Sequence, residues 1–252
     1  MINPLDLTGK TVLVTGASRG IGRATAVFLS RLGARIVAAG RDETQLAETI
    51  SQMEGSGHLV RSFDLNQVEA LPAWIKSVAA ETGPLYGLVH SAGVVMNRSL
   101  KGLTYQNLLD IQRVNVDAAI MLSKGFRQKD MYEAGGSSVV YLSSVAAYKS
   151  KPALAAYAAT KGALISLAKT LALELAAQKI RVNCVCPGLV RTAMVDELEE
   201  ILLPEQLERL YAEYPLGLGQ PEDVAYAIAC LLAPAARWIT GSALVLDGGY
   251  TA

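Results

Sequence analysis

Tyr157 and Lys161 stand four residues apart in Ala156-Tyr157-Ala158-Ala159-Thr160-Lys161-Gly162. On a helix that spacing puts both side chains on one face, one turn apart. A phenol with a pKa near 10 exchanges protons poorly at neutral pH. An ammonium beside it favours the phenolate and draws its pKa toward the working range, which makes the pair an acid/base device. A second set of residues suits a phosphate-bearing ligand. Thr15-Gly16-Ala17-Ser18-Arg19-Gly20-Ile21-Gly22 joins a β-branched run to an amphipathic helical pattern. Glycines there let the backbone turn sharply and approach a pyrophosphate, whose charge meets the N-terminus of the next helix. The spacing is G-x-x-x-G-x-G rather than the general G-x-G-x-x-G.

The second β-branched run ends at Ala39-Gly40-Arg41. A dinucleotide with a free ribose 2′-OH usually meets an Asp or Glu at this point. Here Gly40 leaves room, and Arg41 and Arg19 offer two guanidinium groups that suit a 2′-phosphate. The cofactor expected is therefore NADP(H) rather than NAD(H); the plainer reading of Arg41 is a solvated residue at a helix start. No metal site is expected. Cys184, Cys186 and Cys230, with only His58 and His90 to help, make no zinc-type ligand set, and buried reduced thiols are the expected state.

These groups need a scaffold, and the chain alternates short β-branched runs with longer helical patterns. Strands are expected at Thr11–Thr15, Arg35–Ala39, Leu59–Ser62, Leu85–His90, Ser138–Leu142, Ile180–Val185 and Ala243–Leu246. Helical patterns lie near 21–32, 42–54, 67–81, 104–127, 154–177, 195–213 and 221–232. Regular βα alternation argues a parallel sheet with helices on both faces, and near-continuous apolar strands fit a sheet buried on both sides. No linker or repeat interrupts residues 1–252, so one domain is expected.

Composition narrows the partners. The chain is 51% hydrophobic, with 23 basic and 23 acidic residues, so nothing points to nucleic acid or an anionic membrane. The first residues lack the pattern of a signal peptide, and no apolar run reaches the roughly 18 residues of a membrane span. A cytoplasmic protein is the expectation.

Taken together, the motifs resemble the classical short-chain dehydrogenase/reductase family over essentially the whole chain. Thr15–Gly22 matches its glycine loop, and Asp64-Leu65 matches the acid that contacts adenine. His90-Ser91-Ala92-Gly93 stands where the family has Asn-Asn-Ala-Gly. Asn115 matches the helical asparagine of the catalytic tetrad, and Ser144 lies 13 residues before Tyr157, the usual serine spacing. Arg181-Val182-Asn183, then Pro187-Gly188-Leu189-Val190-Arg191-Thr192, matches the segment that holds the nicotinamide. Trp238–Gly241 and Asp247-Gly248-Gly249 match the C-terminal strand region.

The resemblance implies a single Rossmann domain with a doubly wound seven-stranded parallel sheet in the order 3-2-1-4-5-6-7. It implies a cofactor cradle of Gly16, Ser18, Arg19, Gly20, Ile21, Gly22, Arg41, Asp64, Leu65, Ser91, Ala92, Gly93, Tyr157, Lys161, Pro187, Gly188, Val190 and Thr192. Tyr157 would exchange the proton with the substrate oxygen, and Lys161 would depress its pKa and bind the nicotinamide ribose. Ser144 would orient the substrate oxygen, with Ser143 as the alternative hydroxyl. Asn115 would hold a water that links Lys161 to solvent, with a purely structural role as its alternative. His90 reads as a satisfied core histidine.

The resemblance is nearest to 3-oxoacyl-(acyl-carrier-protein) reductases, so a 3-oxoacyl or related carbonyl compound is the expected substrate. A small polyol or sugar-derived alcohol is the alternative. Selection would fall to Val94–Met96, Val145–Pro152 and a stretch at 193–215. That stretch carries Met194, Leu198, Leu202, Leu203, Leu207, Tyr211 and Tyr214 as a lid or as core. The acyl could be carried on a carrier protein or on CoA. Gln128–Glu133 and Ala176–Lys179 are poor in the arginines that meet an acidic carrier, which lowers that reading. The Ala-rich Leu154–Ala177 helix, apolar on most faces, needs cover, and the family's usual answer is a homotetramer. From another class, a non-catalytic NADPH-binding sensor would have no need of the tetrad. Nucleotide-sugar epimerases share Tyr-x-x-x-Lys but differ in glycine loop and carry a larger C-terminal part.

Overall fold

The structure is a computed structural model that describes residues 3–252; of Met194, Asp196, Glu197 and Leu198 it describes no side chain. Seven parallel strands run β1 (Thr11–Thr15), β2 (Arg35–Gly40), β3 (Leu59–Ser62), β4 (Gly87–His90), β5 (Ser137–Leu142), β6 (Ile180–Pro187) and β7 (Ala243–Leu246). Their spatial order is β3-β2-β1-β4-β5-β6-β7, as expected. Thr15 pairs with Ala39 on one side and with His90 on the other. The C-terminal ends of β1, β2 and β4 therefore finish level, at the point where the strand order reverses and α/β sheets bind ligands.

Helices cover both faces, because β1 and β4 are buried throughout and have no solvent face to offer. On one face lie α1 (Gly20–Arg31), α2 (Glu43–Ser51) and α9 (Pro221–Leu232), with α1 packed on α9. Leu29, Leu46, Ile228 and Leu232 interlock there with Val12, Val14 and Ile36. The other face carries α3 (Leu71–Thr82), α4 (Tyr105–Gln112), α5 (Ala118–Phe126) and α6 (Ala155–Glu174). Its core joins Ile75, Leu122, Phe126 and Leu164 to Leu13, Leu88 and Tyr141.

Two expected helices are interrupted. The 104–127 pattern breaks into α4 and α5 around a π-helical turn at Arg113–Asp117. The 195–213 pattern breaks into α7 (Ala193–Ile201) and α8 (Pro204–Ala212), because Pro204 cannot donate to the preceding turn and starts a new helix instead.

One expectation about the thiols is corrected. Cys184 and Cys186 are buried and burial raises both, but Cys230 is exposed on the outer side of α9. Cys184 and Cys186 lie at i, i+2 on one buried face of β6, whereas a helix has an outer face even when most of it is apolar.

Candidate active site

The glycine loop is shaped for a close ligand. Gly16 (φ +69°) and Gly20 (φ +55°) have left-handed backbones that L side chains rarely adopt. A Cβ on Gly16 would sit 2.7 Å from the Ala92 nitrogen, so the glycine loop and the Ser91-Ala92-Gly93 turn lie against each other. The α1 N-terminus follows at once, with Arg19 at its cap and no side-chain hydrogen bond covering the first amides. Those amides are left to meet an anion. Gly20 faces the Thr192 methyl, 3.4 Å from where its Cβ would be, so the Pro187–Thr192 segment closes over the same loop. These residues fit a dinucleotide.

The ribose end is equally legible. Arg19 and Arg41 are both exposed at the loop ends. Asp42, the nearest acid, is committed elsewhere: its carboxylate accepts from the Gln45 amide at 3.0 Å and side chain at 2.8 Å, capping α2. Asp64 accepts from Asn66 through backbone and side chain, and Leu65 is buried behind it.

The tetrad residues converge at the C-terminal edge of β4 and β5. The Ser144 hydroxyl lies beside the Tyr157 phenol and lowers its pKa, and its Oγ accepts from the Ala146 amide at 3.2 Å. Ser143 is spent differently, its hydroxyl donating to the Lys161 carbonyl at 2.7 Å, which leaves Ser144 as the hydroxyl facing the phenol. Asn115 Oδ1 and Lys161 Nζ both flank Gly93, each 3.3 Å from a Cβ placed there. Asn115 is fully engaged. It accepts from the Val94 amide at 2.8 Å and donates to the Val94 carbonyl and to Thr160 Oγ1, both at 3.0 Å. Both amide hydrogens and one Oδ1 lone pair are thereby used, which leaves a single acceptor position for a water.

The proton chemistry differs from the simplest expectation. Burial raises the Tyr157 pKa, and the Ser144 hydroxyl pulls it partly back. The lowering expected from Lys161 is not seen in this structure. Lys161 is itself buried, and burial lowers its pKa to about 8. Its Nζ lies 5.6 Å from the Tyr157 ring centroid and donates to the Leu142 carbonyl at 2.7 Å. A desolvated, partly neutral lysine turned toward a carbonyl cannot stabilise a phenolate strongly.

His90 is also not the fully satisfied histidine expected. Its Nδ1 lies 3.0 Å from Thr15 Oγ1, whereas Nε2 is buried with no hydrogen-bond partner. Two hydroxyls escaped sequence reasoning, and two residues matched to the nicotinamide-holding segment tie the scaffold instead. Thr15 and Thr160 join the site through their hydroxyls, and only their places beside the glycine loop and Lys161 hinted at it. Arg181 donates to the Leu231, Leu232 and Ala233 carbonyls. It thereby caps the C-terminus of α9, where a cation is favoured. Asn183 ties β6 to Ile239 and Ser242.

Around the cleft, Val94, Val95 and Tyr148 are exposed. In the 193–215 stretch, Tyr214 is core, stacked on Tyr250 at 4.8 Å, while Leu203 is exposed. Leu202, Leu207 and Tyr211 are half-buried, and the side chains of Met194 and Leu198 lie outside the described residues. Gln128–Glu133 and Ala176–Lys179 lead into β5 and β6, at the sheet edge opposite Tyr157. Among the described residues no metal-ligand cluster occurs, and no helix is long and apolar enough to cross a membrane.

Comparison with known proteins places this architecture. Residues 16–251 match the family model described as enoyl-(acyl carrier protein) reductase. A tropinone reductase homolog of Arabidopsis thaliana is 33% identical, over 98% of this chain and 94% of its own length. The 3-oxoacyl-(acyl-carrier-protein) reductase of Rickettsia prowazekii is 33% identical, over 97% of this chain and 98% of its own. A solved structure of a putative NAD(P)-dependent gluconate 5-dehydrogenase from Beutenbergia cavernae, with NADP bound at low occupancy, superposes with a TM-score of 0.90. It is 32% identical and covers 98% of this chain and 99% of its own. The chain belongs to the short-chain dehydrogenase/reductase family of oxidoreductases, which bind NAD(P) and act on alcohol and carbonyl groups.

Proposed function

We propose that this protein is an NADP(H)-dependent oxidoreductase that interconverts a ketone and a secondary alcohol, with a 3-oxoacyl or related carbonyl compound as substrate. The observation that carries this reading is the convergence of Asn115 Oδ1 and Lys161 Nζ on Gly93, each 3.3 Å from a Cβ placed there, with the Ser144 hydroxyl beside the Tyr157 phenol. The chemistry a bound nicotinamide supplies is hydride transfer to or from the carbonyl carbon. Tyr157 Oη donates the proton to the carbonyl oxygen in reduction and takes it back in oxidation. Ser144 Oγ holds that oxygen in line with the phenol. Lys161 would hold the nicotinamide ribose through its Nζ, which here donates to the Leu142 carbonyl at 2.7 Å. Asn115 fixes the turn from which protons are replenished.

Preference for NADP(H) is supported by Arg19 and Arg41 at the loop ends and by the commitment of Asp42 to capping α2. A sugar-derived alcohol is the second reading, favoured by the likeness to the gluconate 5-dehydrogenase structure. The same reading includes a homotetramer, because Leu173 on α6 is 83% exposed and Trp238 before β7 is 89% exposed. Apolar side chains so open on a covered-sheet fold call for a partner, and edge strand β7 has only β6 beside it.

The test is consumption of NADPH and NADH in parallel, with 3-oxoacyl thioesters and sugar-derived ketones as acceptors. The proposal expects thioester turnover with at least about tenfold preference for NADPH, since each lost charge-assisted pair costs on the order of 1.4 kcal/mol or more. Turnover of sugar ketones alone selects the second reading. Tight NADPH binding without any turnover selects a sensor. Light scattering at micromolar concentration reads the assembly, and a monomeric mass refutes the tetramer.

A further inference from the structure

His90 ends the central strand β4, wholly buried at 0% exposure, directly between the glycine loop and the catalytic turn. Its two ring nitrogens face different partners. Nδ1 lies 3.0 Å from Thr15 Oγ1. That hydroxyl already accepts from the Ala92 amide at 3.4 Å, and its other acceptor, the Val89 carbonyl, is farther away at 3.5 Å. A hydroxyl has a single proton to give; the 3.0 Å contact is far better made than the 3.5 Å one at the limit of a hydrogen bond, so we assign the Thr15 proton to Nδ1, which is then unprotonated. Burial lowers the His90 pKa to about 3, and the nearby Lys161 charge pushes the same way. The ring is therefore neutral at working pH, and its one proton resides on Nε2.

Nε2 is the one buried side-chain polar atom without a hydrogen-bond partner among the described residues. A buried donor left unpaired costs on the order of 1–3 kcal/mol, so its surroundings matter. The backbone of Val114 and of Asn115 faces the ring and favours a proton on it, as carbonyl oxygens do. Both residues belong to the π-turn at Arg113–Asp117. Such turns insert one residue into the helical ladder, loosen its carbonyls and cluster at functional sites.

We propose that His90 is the positioning residue of the π-turn. As the Nε2–H tautomer set by Thr15, it closes a hydrogen bond onto the Val114–Asn115 carbonyls when the site fills. Through Asn115 it sets Val94 and Thr160, and thereby Lys161 beside Gly93. The sequence has a second histidine, His58, whose bonds go to the Ile36 amide and the Glu54 carbonyl, outside this network. A strand-tying role alone would need the Thr15 contact but not the proton on Nε2. The inference rests on the catalytic reading above for its kinetic consequence, not for its tautomer.

The experiment has two arms. In the first, 15N-labelled protein carrying His58→Gln is examined by long-range 1H–15N NMR, with and without NADPH. The proposal expects one imidazole, Nε2-protonated, whose tautomer does not change between about pH 5 and 8, with its Nε2–H proton moving downfield on NADPH binding. An Nδ1–H tautomer, or a ring that titrates in that range, overturns the placement whether or not the protein is an enzyme. In the second arm, His90→Leu and His90→Asn are compared with wild type under saturating NADPH. Loss of turn positioning should lower kcat between about tenfold and a hundredfold while the NADPH Kd, read by fluorescence, stays within about twofold. Asn retains a donor and should recover most of the loss. Equal kcat in folded His90→Leu, or no recovery by Asn, contradicts the proposal. A wild type that binds NADPH but turns over no carbonyl compound sinks the catalytic reading and leaves the NMR arm to decide the tautomer.

Discussion

The dinucleotide half and the segment around α7 and α8 obey opposite rules. In the first, Val12, Leu13 and Val14 are wholly buried, α1 packs on α9, and glycines bring backbone against backbone at Gly16 and Ala92. In the second, Ile201 and Leu203 are 77% and 67% exposed, and the helices are joined through contacts such as Arg191–Glu199 and Tyr211–Glu199. The segment rejoins the core at Val195, which is buried, and at Tyr214, stacked on Tyr250 with Lys149 over that ring. The lesson is a division of labour. The part that would meet the dinucleotide is close-packed, whereas the segment proposed to select a substrate keeps apolar surface uncommitted.

Four substitutions or conditions break or sharpen that contrast. The largest effect belongs to the junction of the two halves. Ser144→Ala removes the hydroxyl that holds both the phenol and the substrate oxygen, and kcat should fall by about a hundredfold to a thousandfold; steady-state kinetics at saturating NADPH checks it. Next comes packing. Leu29→Ala on α1 should cost about 2–5 kcal/mol in urea unfolding, whereas Leu203→Ala should stay within about 0.5 kcal/mol and raise only the substrate KM, by a few fold. Similar losses in both would erase the contrast. Arg41→Asp should raise the NADPH KM on the order of tenfold or more while changing the NADH KM little. Equal effects on both cofactors would remove Arg41 from the 2′-phosphate.

The last prediction is a pH slope. His90 has a folded pKa near 3 against an ordinary value of 6.5, so below pH 6.5 the unfolded chain binds the extra proton. Stability is then lost as pH falls from 6.5 toward 3, by up to about 1.4 kcal/mol per pH unit for this one group. His90→Asn should flatten the urea-midpoint profile over pH 4–6.5; an unchanged profile would mean that the ring is not held neutral.

Much of this was legible in the sequence, and the failures have physical causes. βα alternation and apolar runs located all seven strands, because a sheet buried on both faces leaves a local record. Tyr157, Lys161 and the glycine loop announced themselves by spacing. The π-turn did not, since one inserted residue barely disturbs a helical apolar pattern. Nor did the direction of the Tyr157 shift. Adjacency to Lys161 can be read locally, but the burial that overrides it arises from chain segments far apart in sequence. Arg181 as the cap of α9 was hidden for the same reason, its carbonyl partners lying 50 and more residues onward. Asp42, an unremarked neighbour of Arg41, gained meaning only when its carboxylate proved to be tied to Gln45.

The central claim is that Tyr157 is the proton donor of a hydride-transfer site. Its most direct test is Tyr157→Phe, assayed for NADPH consumption with the best acceptor found for wild type and, separately, for NADPH binding by fluorescence titration. The phenol hydroxyl is the only group lost, so turnover should fall by about a hundredfold to ten-thousandfold with the NADPH Kd nearly unchanged. Turnover within a few fold of wild type would contradict the account.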